Sequence, residues 1–251
     1  FSSSTQAIQD NDYGRSKLQA EKYLLSLEKE ISSPVCIFRL PGIFGKWCKP
    51  NYNSVVATFC HNAINNLEIT ISDEKKILEL CYIDDLIDDF INLIDTKKIS
   101  SHNAAPSRTY SISLKDLHEK IMSFKNSRTT NTICNVGDGI ERALYSTYIS
   151  YLPKEDFSYQ LKSNKDDRGN FVEMLKTRSS GQFSFFTSNP GVTRGIHYHH
   201  SKTEKFLVLK GKARFRFRNI LTQETHEIFS DEIEPTIVES IPGWTHDIKN
   251  I

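Results

Sequence analysis

The hydrophobic period of the chain changes near residue 150, and that change constrains the fold more than any other feature of its 251 residues. From Tyr13 to about Glu30 the pattern is helical, with Leu18, Leu24, Leu25 and Leu27 set among Lys and Glu that pair at i,i+4. Pro34 to Leu40 is a short apolar run bounded by proline and reads as a buried strand, and a helix is expected from about Asn53 to Asn65. Leu78 to Ile83 reads as the next strand, followed by a helix carrying Leu86, Phe90, Ile91 and Ile94. Arg108 to Ile112 is strand-like and runs into Ser113, the expected N-cap of a helix bearing Leu114, Leu117, Ile121 and Phe124. Strands alternating with helices imply a mainly parallel α/β sheet. After the weakly charged stretch Tyr145 to Pro153 the helical period is lost. Short runs at Phe171–Lys176, Gln182–Thr187, Lys205–Leu209, Ala213–Arg218, His226–Ser230 and Thr236–Ile241 read as strands of a sandwich or barrel. The fold class expected is therefore α/β followed by all-β, as two domains, 1–150 and 151–251.

Charge is balanced, 32 Lys+Arg against 31 Asp+Glu, so no global field recruits nucleic acid or an anionic membrane. A small-molecule partner is expected instead. Cys36, Cys48, Cys60, Cys81 and Cys134 have no C-x-x-C spacing and read as reduced thiols in a cytoplasmic protein. No apolar run approaches the roughly 20 residues of a membrane helix. The sequence opens in mid-strand at Phe1 and ends inside a motif at Ile251, so both domains are expected to be incomplete.

The densest chemistry lies between Gly191 and Gly211, which follow the spacing G-x5-H-x-H-x4-E-x6-G. In a strand His197 and His199 would point to one face, Glu204 would add an oxygen ligand, and His246 a third nitrogen. Three nitrogens and a carboxylate suit Zn, Fe, Mn or Ni, with a position left for water or substrate. A lone H-x-H is usually incidental; the full spacing, with His246 and Asn250 in H-x3-N, resembles the two signature motifs of the cupin family. In that family the second motif carries Pro-x-Gly, whereas Pro242 and Gly243 are adjacent. Asp166-Asp167-Arg168-Gly169-Asn170-Phe171 and Arg194-Gly195-Ile196-His197 resemble elements of nucleotide-sugar 3,5-epimerases. The alternation Arg214-Phe215-Arg216-Phe217-Arg218 needs no function, with phenylalanines inward and arginines in solvent.

Near the N-terminus, Tyr13 and Lys17 form Y-x3-K, which on a helix places phenol and ammonium one turn apart. Such a lysine lowers the phenol's pKa, and the tyrosine can then deliver a proton to a carbonyl oxygen that receives hydride. Y-x3-K alone carries little information. With Ser2-Ser3-Ser4 upstream, Arg39 to Gly45 downstream and Cys81-Tyr82-Ile83-Asp84-Asp85 beyond, the order resembles the C-terminal half of the extended short-chain dehydrogenase/reductases. The resemblance implies that Ser4 binds the substrate carbonyl, Tyr13 is the general acid, Lys17 activates it and holds the cofactor ribose, and Pro41 lines the nicotinamide. The Gly-rich turn that cradles a dinucleotide pyrophosphate is expected to precede Phe1.

Together the halves resemble the bifunctional reductase–cupin enzymes of capsular polysaccharide synthesis. The resemblance implies C3 epimerisation of a UDP-linked 2-acetamido-2,6-dideoxy-4-hexulose by the cupin. Reduction of the C4 ketone by the other domain would follow, toward UDP-N-acetyl-L-fucosamine. The expected cofactors are NADPH and Zn2+, and the expected assembly is a homodimer. The epimerase proton carrier is not identified by the sequence: His200 and Lys205 are candidates, and the solvent-facing reading stands for both. Two other readings stand beside this one: a metal cupin oxygenase, and a sugar-binding cupin attached to an inactive reductase remnant.

Overall fold

Where the apolar spacing is helical the chain forms helices, and it passes into strands where a proline or a short apolar run interrupts that spacing. The computed structural model describes residues 1–31, 34–96 and 103–251. It divides into two units, Phe1–Tyr159 and Gln160–Ile251.

In the first unit, β1 (Ser2–Ser4) leads through a 3-10 turn to α1 (Asp12–Ile31), β2 (Ile37–Leu40) and β3 (Gly42–Phe44). Next come α2 (Val55–Ile64), β4 (Ile77–Tyr82), α3 (Ile83–Thr96), β5 (Asn103–Ala104), β6 (Tyr110–Ser113), α4 (Leu114–Thr130) and α5 (Gly139–Ile149). One sheet has the order β1-β2-β5 with parallel pairs; the other is β3-β4-β6, parallel then antiparallel. Pro41 alone separates β2 from β3. It has no N–H to give to a ladder, so the chain leaves the first sheet there and enters the second.

The main core gathers one face each of α2, α4 and α5, with Val56, Cys60, Leu117, Ile121, Phe124, Ala143 and Leu144 all buried beside Phe44. Ser54 and Ser113 cap α2 and α4 by accepting from the N–H groups of Ala57 and Asp116. Helix α5 is not among the elements read from the sequence, where only the weak charge of Tyr145 to Pro153 stands out. Charge is low there because Ala143, Leu144, Thr147 and Tyr148 are buried against the core. The chain after α5 stays on this unit: Arg128 donates to the carbonyl of Asp156 at 2.6 Å and stacks over the Tyr159 ring. The unit therefore ends at Tyr159, whereas the sequence reading put the change near 150.

The second unit holds β7 (Ser163–Asp166), β8 (Gly169–Lys176), β9 (Gln182–Phe186), β10 (Thr193–His197) and β11 (Lys205–Leu207). The remainder are β12 (Lys212–Asn219), β13 (Thr225–Asp231), β14 (Ile237–Glu239) and β15 (Trp244–Asn250). They hydrogen-bond as β7-β8-β9, β10-β15-β12-β13 and β11-β14, and no continuous ladder closes these sheets into one barrel among the described residues. On β12, Ala213, Phe215 and Phe217 are buried with Val238 while the intervening arginines face away, as a strand with one dry face requires.

A bulge lies between Gly195 and His197, where β10 meets β15. Gly195 has φ +95, and a Cβ added there would come within 2.9 Å of the His246 carbonyl oxygen. Gly195→Ala is expected to destabilise this unit by about 1–3 kcal/mol, the usual cost of such backbone strain. Thermal unfolding followed by circular dichroism checks it.

Candidate functional site

The bulge re-aims β10 so that His197 comes opposite His246 of β15. The strand ends at His197, so His199 lies beyond it and the expected alternation within one strand is not what unites them. The loop carrying His199 is instead held by its carbonyl, which accepts from the Gly243 N–H at 2.9 Å. The His197 ring is 4.8 Å from each of the His199 and His246 rings. Glu204 enters just before β11, its backbone fixed by Ser240: the Glu204 N–H donates to the Ser240 hydroxyl and the Ser240 N–H to the Glu204 carbonyl, both at 2.8 Å.

One oxygen of Glu204 is 3.2 Å from the Nε2 of both His199 and His246, and Lys202 donates to the other at 2.7 Å. Burial works to raise the Glu204 pKa, but the Lys202 ion pair and the neighbouring imidazoles outweigh it and hold the carboxyl below its ordinary value. His246 is 3% exposed, and burial pushes its pKa down, which favours the neutral imidazole that a metal needs. The four candidate ligand atoms lie within 4.8 Å of one another. Two of the separations within the group, both 3.2 Å, join Glu204 to His199 and His246. A borderline divalent cation fits this donor set, and no other such cluster occurs among the described residues.

The two residues left open as proton carriers are placed differently. Lys205 is ion-paired with Glu239, on the face of β11 opposite the inward Phe206. His200 packs edge-on against Tyr198.

A cavity of about 400 Å³ is lined by Lys165, Asp166, Arg168, Phe171 and Arg194. Arg194 precedes the bulge and sits opposite Ile248, which in turn pairs with buried Phe215, so it shares the inner face of the sheet. Its guanidinium stacks over Phe186, and its Nε and one terminal nitrogen are buried without a hydrogen-bond partner. The nearest carboxylate, Asp166, is 3.7 Å away and also bound by Arg168. The sequence reading noted Arg194 only as part of a motif, since its burial is a tertiary fact.

In the first unit Ser4 caps the 3-10 turn, accepting from the Gln6 N–H at 3.1 Å and keeping its own proton for a second partner. Tyr13 opens α1 and is half-exposed; the Lys17 ammonium is 5.7 Å from its ring and donates to the Ser2 carbonyl at 3.2 Å. Pro41 lines a cavity of about 550 Å³ with Gln6, Gln9, Ser54 and Leu80. Ser4 and Lys17 are thus brought to β1, while Pro41 stands at the seam of the two sheets. Glu21, a residue the sequence reading passed over as one more helix-surface carboxylate, is 3% exposed.

The profile of the NAD dependent epimerase/dehydratase family matches residues 2–111, and that of the Polysaccharide biosynthesis C-terminal domain matches residues 164–251. The UDP-2-acetamido-2,6-beta-L-arabino-hexul-4-ose reductase of Pseudomonas aeruginosa is 54% identical over all of this chain, which spans 68% of that protein. The chain belongs to this reductase family. The capsular polysaccharide assembling protein CapF from Staphylococcus aureus shares its structure, with a TM-score of 0.94 and 43% identity over 100% of this chain and 68% of CapF. CapF with the inhibitor 3-isopropenyl-tropolone matches with a TM-score of 0.87 and 42% identity, over 94% of this chain and 68% of the other. These matches establish a Rossmann-like epimerase-family part followed by a β-rich region, and they carry the resemblance to capsular polysaccharide enzymes noted in the sequence. No helix among the described residues is long and apolar enough to cross a membrane.

Proposed function

We propose that the chain carries two activities on one nucleotide sugar, a UDP-linked 2-acetamido-2,6-dideoxy-4-hexulose. The second unit, read as a cupin, epimerises C3; the first reduces the C4 ketone with NADPH, toward UDP-N-acetyl-L-fucosamine. The observation that carries this reading is the convergence of His197, His199, Glu204 and His246 in the same chain as Ser4, Tyr13 and Lys17. The order follows from chemistry: the C4 carbonyl acidifies the C3 proton and must survive until C3 has been inverted.

His197, His199, Glu204 and His246 would hold a divalent cation, zinc by preference, which supplies a Lewis acid for the C4 oxygen when bound. Around it Phe206 and Phe217, both packed near His246, keep water from the reacting carbons. Arg194 would take the substrate's diphosphate, since a buried guanidinium with unpaired N–H groups beside Lys165 and Arg168 calls for an anion. In the first unit Ser4 donates to the C4 carbonyl and Tyr13 protonates that oxygen, while Lys17, one turn along α1, holds the ribose. NADPH, when bound, would supply the hydride.

Elemental analysis of the purified protein tests the reading; one equivalent of a divalent cation is expected, and none would overturn it. Arg194→Ala is expected to raise the KM of C3 exchange by about tenfold to a hundredfold, the worth of a charge-assisted hydrogen bond or two. Steady-state kinetics at varied sugar nucleotide checks it.

A further inference from the structure

Beneath the reductase residues lies a buried ionic knot that the proposed chemistry does not use. Tyr13, Lys17 and Glu21 follow one another at four-residue intervals on α1, so they lie along one side of the helix. Lys17 binds the Ser2 carbonyl, and one turn on Glu21 accepts from the Ser3 hydroxyl. The same carboxylate takes a two-pronged grip from Arg39, Nε to one oxygen at 3.0 Å and a terminal nitrogen to the other at 2.7 Å. Ser3 and Arg39 are themselves paired in register across β1 and β2. Glu21 therefore ties together the helix bearing Tyr13 and Lys17, the strand ending in Ser4, and the strand that leads to Pro41.

A surface helix would be fastened to a sheet more simply by leucine, and a buried charge costs free energy unless every lone pair is met. Here the fork and the hydroxyl meet them, and Arg39 holds the carboxyl well below its ordinary pKa, so the group stays ionised. A carboxylate held by a planar fork has one orientation, whereas an apolar contact permits sliding along the helix axis. Sliding of α1 by an ångström would move the proton donor relative to the serine that holds the carbonyl.

We infer that Glu21, with Ser3 and Arg39, is a positioning element for ketone reduction: it fixes the register of Tyr13 and Lys17 against Ser4 without touching substrate. This rests on the assignment of those three residues as the reductase site. Kinetics on the full enzyme, with NADPH and the 4-keto sugar nucleotide, separate positioning from mere stability. In Glu21→Gln the shape is kept and the charge lost; in Ser3→Ala the hydroxyl is lost and the ion pair kept. Each is expected to lower kcat at least about tenfold, up to the hundredfold that a misplacement of an ångström brings. KM should stay within about twofold, at a temperature where circular dichroism shows the variants folded. In the double variant the two losses should fall short of multiplying, as for members of one network.

Wild-type kcat in a folded Glu21→Gln protein overturns the inference, as does a loss confined to melting temperature. Tyr13→Phe, run in parallel, keeps the two claims apart. If it remains active, the assignment of the reductase site fails; if it is inactive while Glu21→Gln is not, only the positioning role fails.

Discussion

His199→Ala should abolish the exchange of the C3 proton of the 4-keto sugar nucleotide with solvent deuterium, measured without NADPH. Exchange without reductant isolates the enolisation step, and mass spectrometry of the recovered sugar reads it directly. The loss should exceed about a hundredfold, because removal of even an outer partner of a metal ligand costs ten to a hundredfold. His199 lies in a loop beyond the end of β10, half-buried, with its backbone anchored by Gly243, so truncating the imidazole removes a ligand and leaves the sheets intact. The variant should also lose the bound cation while its thermal midpoint with chelator present equals that of chelated wild type. Retention of exchange at the wild-type rate would remove this cluster from the chemistry altogether.

Tyr13→Phe should do the converse. Reduction of the C4 ketone, followed by NADPH absorbance in the full enzyme, is expected to fall about 10²- to 10⁴-fold, the range for losing a positioned proton donor. The phenol is half-exposed, so folding should be unaffected. Deuterium exchange at C3 should continue undiminished, since Tyr13 belongs to the other unit. A fall in both activities would argue against two separable sites.

Much of the fold could be read from spacing. Helices α1, α2, α3 and α4 lie where apolar residues recur every three or four positions, and the serine cap of α4 is where the sequence puts it. Strands β8, β9, β11, β12, β13 and β14 overlap the runs recognised from alternation. What escaped were elements whose pattern is set by tertiary contact. Helix α5 has a nearly neutral surface because it is buried, and β15 mixes Trp244, His246 and Ile248 on its inner face with Asp247 and Lys249 on the other. Strand β10 has too few apolar residues to announce itself, and its bulge at Gly195 is a backbone device with no hydrophobic signature.

The candidate site divides in the same way. Ligand types were legible at His197, His199, Glu204 and His246, and the structure brings these four, from both ends of the unit, to one place. The buried guanidinium of Arg194, with two nitrogens that make no hydrogen bond, and the buried carboxylate of Glu21 were not legible, because charge in a sequence says nothing of burial. Glu21 in particular has the spacing of an ordinary helix-surface ion pair with Lys17, and only the location of Ser3 and Arg39 distinguishes it.

The kink at Gly195 has a bearing on how such a centre can diversify. Because the main chain, and not the imidazoles, dictates where the pocket's donors point, the identity of each donor can drift while the scaffold stays put. Replacing Glu204 by histidine or glutamine would then retune which cation is preferred without rebuilding the walls. Loss of the one glycine would displace His197, while His199 and Glu204 keep their own anchors at Gly243 and Ser240.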